Sequence, residues 1–125
     1  SGGRAEGWLF VAIDAPAGRH RVGAVLATDP AATTAPLLLI PCAPSDDVDL
    51  VAAGRTIQDV LLALHAQGFA SAWTRATSGQ RAAIRDAAQL PGGPVPLGVI
   101  AAGPTPEGEA SPPRPPDLGS RLRWR

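Results

Sequence analysis

Cys42, His20, His65 and the acidic run Asp46, Asp47, Asp49 are the residues of this chain whose side chains most readily carry chemistry. A nucleophile needs a base within reach, and these residues set out no such pair. No G-x-S-x-G turn is present, and neither histidine has an aspartate or a nucleophile at motif spacing. Cys42 lies in a proline-flanked apolar segment, which predicts an inert buried thiol. His65 falls at the last turn of the longest periodic stretch, where a cation complements the helix dipole. His20, within Arg19-His20-Arg21, reads as part of a solvated helix face. The three aspartates lack the glycine and closing glutamate of a calcium loop and stand where a helix start needs caps. One cysteine and two histidines cannot assemble a zinc site of ordinary spacing, so no metal is expected, and no side chain is singled out as catalytic. Gly2-Gly3 and Gly92-Gly93 are isolated pairs without the G-x-x-x-x-G-K or G-x-G-x-x-G spacing that cradles phosphates. Three patches remain informative: the glycine-rich start running into Trp8, the segment Gly68-Phe69-Ala70-Ser71-Ala72-Trp73, and Gly103 together with Arg114.

The elements that must position these patches follow from the apolar pattern. Trp8 to Ile13 is a short run of bulky apolar residues closed by Asp14-Ala-Pro, which predicts a strand buried on both faces. Val22, Val25 and Leu26 make a helical stripe within residues 18–27, ended by Asp29-Pro30. Pro36 to Pro41 is apolar throughout and too short for a helix, so it reads as a central strand. The acidic cap residues then open a long helix over residues 50–67. Leu50, Ile57, Val60, Leu61 and Leu64 share its buried face, and Gly68 is placed to cap its end. Ala52-Ala53-Gly54 in its first turns would let another backbone approach closely. Phe69 to Thr74 reads as a strand. Thr77-Ser-Gly-Gln80 matches a capping box for a second helix running to about Gln89, stopped by Leu90-Pro91-Gly92-Gly93-Pro94. Pro96 to Ala102 is the last buried strand. Beyond Gly103 the chain becomes a proline-rich arm with Leu118, Leu122 and Trp124 as its only large apolar anchors, expected to lie extended on another surface. Strands alternating with helices give an α/β (α+β) fold, with a core over residues 1–103 and an arm over residues 104–125.

The chain has 125 residues, enough for one core. Ala, Gly and Pro are its commonest small residues, while Lys, Met, Tyr and Asn are absent, so every basic residue is Arg. Eleven acidic residues balance eleven arginines. That balance argues against nucleic acid and against anionic membranes as partners. No apolar run approaches the roughly 18 residues of a membrane span, and no leader opens the chain, so a cytoplasmic, soluble protein is expected. The first residues, Ser1-Gly2-Gly3, read as the middle of a loop, with a segment missing upstream.

The order of Ser1-Gly-Gly-Arg-Ala-Glu-Gly-Trp8, Ala35-Pro36-Leu-Leu-Leu-Ile, Ala53-Gly54-Arg-Thr-Ile-Gln58-Asp-Val, Gly68-Phe-Ala-Ser71-Ala-Trp73 and Pro96-Leu-Gly-Val-Ile-Ala-Ala-Gly103 resembles the FMN-dependent nitroreductase superfamily over nearly the whole chain. In that family a loop of the form S-x-x-N-x-Q-P-W touches the flavin ring or its ribityl chain. On this sequence Ser1 and Trp8 match, with Gly2 between them, while Arg4 stands for the Asn, Glu6 for the Gln and Gly7 for the Pro. The family's G-L-G-S-x-W turn presents backbone amides to the flavin's pyrimidine and N5 edge. The resemblance assigns that role to Gly68, Phe69, Ala70 and Ser71, with Ala70 in place of the second Gly. Arg114, between two pairs of prolines, falls where the family places a basic residue against the FMN phosphate. The family's helical R-R-S-x-R-x-F motif has no counterpart before Ser1.

The resemblance implies a nitroreductase-like sheet flanked by helices, with a long central helix and an extended C-terminal arm. It implies a homodimer that uses FMN to carry a hydride from a reduced nicotinamide such as NADPH to a small electron-poor acceptor. Two alternatives stand beside it. One is a flavin-dependent reductase of a deazaflavin cofactor precursor, suggested by Pro112-Pro-Arg-Pro-Pro-Asp-Leu and the terminal Arg-Trp-Arg. The other is a non-catalytic binding or dimerisation subunit, suggested by the departures at Arg4 and Glu6.

Overall fold

Apolar runs with no polar alternation have to be covered from both sides, and the sheet of this chain is. The computed structural model describes residues 7–105, apart from 28, 46 and 48, together with the backbone of residues 122–124. Strand β1 (Leu9–Ile13) leads into helix α1 (Pro16–Val25) and the short helix α2 (Pro30–Thr34). Strand β2 (Leu37–Ala43), helix α3 (Leu50–Ala66), strand β3 (Phe69–Arg75) and helix α4 (Ser78–Ala88) follow. The chain then forms β4 (Val95–Pro96), β5 (Gly98–Pro104) and β6 (Leu122–Trp124). The sheet order is β3-β5-β2-β1-β6, with β4 paired to β2, and every pairing is antiparallel except that of β6 with β1. This is the α/β (α+β) sandwich expected.

Strand alternation sorts the side chains into two cores. Trp8, Phe10, Ala12, Leu39 and Ile100 point to one face, where α3 covers them with Ile57, Val60 and Leu64. Val11, Ile13, Leu38, Ile40 and Val99 point to the other, against Val22 of α1, Ala32 of α2 and Ile84 of α4. Trp8 and Phe10 stack with ring centroids 6.3 Å apart, so this tryptophan serves the core. Each large aliphatic side chain removed from water here contributes roughly 1.5–3 kcal/mol.

Local signals account for most helix ends. Asp49 caps α3 by accepting from the Val51 N–H at 2.9 Å. The Thr77 capping box of α4 has both of its bonds, Gln80 N to Thr77 Oγ1 at 3.2 Å and Thr77 N to Gln80 Oε1 at 2.9 Å. Asp29-Pro30, expected only to stop a helix, also starts α2: Asp29 accepts from the Ala31 N–H, and proline suits the first helical position. The expected buried face of α3 needs correction at Leu50 and Leu61. Leu50 is 64 % exposed and Leu61 half-buried, while Ala53 and Thr56 take the sheltered positions.

Arginines fasten the layers through backbone carbonyls. Arg19 donates from Nε to the Asp14 carbonyl at 2.9 Å and from Nη1 to that of Ala35 at 3.1 Å, clasping both ends of the α1–α2 excursion. Arg21 reaches from α1 to the Ala87 carbonyl of α4, and Arg85 from α4 to that of Pro91. Residues 122–124 pair in parallel with Phe10, Val11 and Ala12 of the same chain. An unpaired β1 edge would otherwise stand beside the core.

Candidate functional site

Helix α3 and strand β3 meet with almost no connection. The Gln67 and Gly68 N–H groups cap the last turn, Gly68 donating to the His65 carbonyl at 3.0 Å. Gly68 then turns the chain with φ +90°, a conformation in which glycine alone is unstrained. This glycine is therefore both the helix stop and the hinge into the strand.

Strand β3 lies at the edge of the sheet, with only β5 beside it. Its register with β5 is unbroken from Phe69↔Pro104 to Arg75↔Gly98. Thr105 N donates to the Gly68 carbonyl at one end, and Ala76 N donates to the Leu97 carbonyl at the other. In an antiparallel ladder hydrogen-bonded pairs alternate with non-bonded ones, so residues 68, 70, 72, 74 and 76 direct their N–H and C=O groups to β5. Phe69, Ser71, Trp73 and Arg75 therefore direct theirs away from the sheet. Phe69 and Trp73 rest their rings on the α3 core, while Ala70, Ser71 and Ala72 are exposed. The result is a strip of outward backbone donors at Phe69 and Ser71 among side chains too small to cover them. A groove of about 350 Å³ runs beside it, lined by Ala70, Ser71 and Ala72, by Gly103 of β5 and by Thr34 of α2. Thr74 Oγ1 donates to Asp29 Oδ2, tying β3 to the start of α2.

Fixed amide donors on a rigid edge can hold the electron-rich rim of a flat heterocycle and favour negative charge there. Of the residues expected at such a site, Gly68, Phe69, Ala70 and Ser71 are brought together on this edge, with Gly103 opposite Ala70. Ala70 is accommodated in place of glycine because it has ordinary strand geometry: Gln89 alone of the described non-glycine residues has positive φ. Ser1, Gly2, Arg4, Glu6 and Arg114 lie outside the described residues. The edge position of β3 was not legible in the run Phe69 to Thr74; the small residues Ala70, Ser71 and Ala72 were its one trace.

The other reactive side chains stand apart. Cys42 is fully buried in β2, its thiol pushed up to about 12 by burial, with a smaller opposing pull from Arg85. That holds it in the unreactive thiol form. His65 and His20 are exposed on α3 and α1, with His65 in the last turn as its position predicted.

Comparison with known proteins agrees with this fold. The structure superposes on a protein of Bacteroides thetaiotaomicron VPI-5482 assigned to the NADH dehydrogenase/NAD(P)H nitroreductase class. The TM-score is 0.71 and the identity 25%, over 92% of this chain and 70% of that one. A nitroreductase family protein of Clostridium novyi NT shares the fold at TM-score 0.71 and 14% identity, over 94% of this chain and 69% of that one. So does an FMN-dependent nitroreductase of Clostridium difficile R20291, at TM-score 0.63 and 17% identity, over 87% and 68%. The sequence model of the Nitroreductase family matches residues 4–104, a span that contains β1 to β5, and on that match the chain belongs to the nitroreductase family of oxidoreductases.

Proposed function

We propose that this chain is an FMN-dependent oxidoreductase that passes a hydride from a reduced nicotinamide, by way of the flavin, to a small electron-poor acceptor. The observation that carries the reading is the open edge of β3, where outward N–H groups at Phe69 and Ser71 stand among small exposed side chains. They lie at the helix-to-strand turn that the family resemblance gives to the flavin ring. The described residues fit such a ring: the donors are fixed by the β5 ladder, and no large side chain covers them. The flavin, when bound, supplies the two-electron chemistry.

The chain's own residues bind and orient. Gly68 sets the entry of β3. Phe69 and Trp73, anchored on α3, keep the strand from rolling, so the two amides present a constant partial positive charge to the ring's edge. By the resemblance, Ser1, Gly2, Arg4 and Glu6 would complete the ring contacts and Arg114 would meet the phosphate. The Clostridium difficile relative's use of FMN supports the cofactor. We also read the protein as a cytoplasmic homodimer that draws on NADPH. Leu50, Val51 and Leu62, exposed along α3, offer apolar surface to a second copy. Among the described residues no helix is long and apolar enough to cross a membrane.

A proline scan of β3 tests the reading. Ser71→Pro deletes an N–H that points away from the sheet, which an edge strand tolerates. It should leave the fold intact by circular dichroism and weaken FMN binding about threefold to tenfold, the loss of one hydrogen bond between neutral groups. NADPH oxidation in the presence of a nitroarene should fall with flavin occupancy. An unaltered FMN affinity in a folded Ser71→Pro protein, or no saturable binding of FMN to the wild type, refutes it.

A further inference from the structure

Strand β3 has a ladder on one side only, so its roll about its own axis is set by its side chains as well as by β5. On the α3 face Phe69 and Trp73 hold it. Alternation puts Ala70, Ala72 and Thr74 on the opposite face. There Ala70 and Ala72 offer only exposed methyl groups to the groove. Among the described residues Thr74 is the one β3 side chain with a hydrogen bond: its Oγ1 donates to Oδ2 of Asp29, 45 residues earlier in the chain.

Asp29 is fixed independently of β3. Its N–H donates to the Leu26 carbonyl at 2.8 Å, and its Oδ1 accepts from the Ala31 N–H at 3.0 Å. A hydroxyl donating to a carboxylate makes a charge-assisted bond, shorter and stronger than one between neutral groups. Threonine is restricted at χ1, so the anchor reaches the backbone of residue 74 through a single stiff torsion. Two aromatic rings on one face and this bond on the other thus set the roll of the strand, and the roll decides where the outward N–H of Ser71 points.

We propose that Asp29, acting through Thr74, is a positioning residue for the flavin: from outside the site it fixes the direction of the outward N–H groups on β3. This role presupposes the flavin reading of the β3 edge. Donors fixed in advance favour the reduced ring, whose edge carries more negative charge, and donors free to roll favour it less. Loss of the tether therefore changes the balance between oxidised and reduced flavin as well as the affinity.

Thr74→Val keeps the shape of the side chain and removes the donor. In the full-length holoprotein it should weaken oxidised FMN about twofold to threefold, and reduced FMN about threefold more than that. The two-electron midpoint potential then falls by about 14 mV. Thr74→Ser restores the hydroxyl and should return both quantities to the wild-type values. Asp29→Asn retains an oxygen for the Ala31 N–H and replaces the anionic acceptor by a neutral amide. It should move both quantities in the same direction by less, and it carries the test if Thr74→Val does not fold. Val22→Ala, a change in the buried core beneath α1, should lower the melting temperature and leave the potential where it was, which separates positioning from stability. Wild-type protein without saturable FMN binding refutes the flavin reading and this role with it. FMN bound equally well and at the same potential by wild type and folded Thr74→Val or Asp29→Asn overturns the role of Asp29 alone. No recovery in Thr74→Ser, or an equal potential shift in Val22→Ala, does the same.

Discussion

Replacing Gly98 by Ala puts the β3–β5 ladder to a direct test. Gly98 opens β5 opposite Arg75. A β-carbon there would lie 2.7 Å from Cη2 of Trp73 and 3.0 Å from Cα of Arg75, and it would press onto the Thr74 carbonyl oxygen. The tryptophan ring could swing aside; the two backbone atoms cannot. Thr74 is held by its ladder partner Val99 and by its hydroxyl bond to Asp29. Overpacking by one methyl costs about 1–3 kcal/mol, and a clash with fixed backbone belongs at the upper end, about 3 kcal/mol. For a chain of 125 residues the unfolding entropy is about 260 cal/mol/K, so that loss lowers the thermal midpoint by about 11 °C. Melting followed by far-ultraviolet circular dichroism reads it. Gly54→Ala is the matched control: its side chain meets nothing within 4 Å on an exposed helix face. It should raise stability by about 0.5–1 kcal/mol, a gain of about 2–4 °C. A Gly98→Ala midpoint within about 2 °C of wild type would refute the close approach of β3 to the start of β5.

Leu64→Ala empties a fully buried position between α3 and the sheet and should cost about 2–5 kcal/mol in urea unfolding, whereas half-buried Leu61 should cost less. Cys42 should resist a disulfide reagent at pH 8 until the protein is denatured. Its thiol pKa is raised from 9.0 to about 12 on folding, so it supports stability below pH 9 and that support is lost as pH rises through this window. Cys42→Ala should flatten the alkaline limb of the stability profile. Truncation after Thr105 removes β6 and bares the β1 edge. Light scattering should show association of the truncated chain, and a monodisperse, equally stable product would mean that β6 contributes nothing to closing the sheet.

What could be read from sequence was whatever depends on neighbours along the chain. Thr77-Ser-Gly-Gln80 specified a helix start because both partners of the capping box lie within one turn, and Gly68 marked the end of α3 for the same reason. Apolar runs such as Pro36 to Pro41 identified central strands because a run without alternation must be covered twice. Features set by distant segments stayed hidden. The order β3-β5-β2-β1-β6 depends on pairings across the chain, and so did the edge position that turns the amides of Phe69 and Ser71 outward. Leu50 fitted the helical stripe, yet periodicity carries no information about where the sheet beneath a helix ends. Asp29-Pro30 was read as a stop alone, since a stop and a new N-cap use the same two residues.

The arginine clasps of Arg19, Arg21 and Arg85 end on carbonyl oxygens, which are neutral dipoles, rather than on carboxylates. Mobile ions screen attraction between net charges far more than a short bond between a cation and a neutral dipole. The tie between α1 and α4 should therefore hold almost unchanged from dilute buffer to molar salt. The tie at Arg19 also demands a planar fork, because one side chain serves two carbonyls that lie in different segments. An ammonium group concentrates its donors on a single atom and could not span them in the same way. At this clasp the guanidinium is a requirement of shape, and a lysine carrying the same charge would release the return of α2 toward β2.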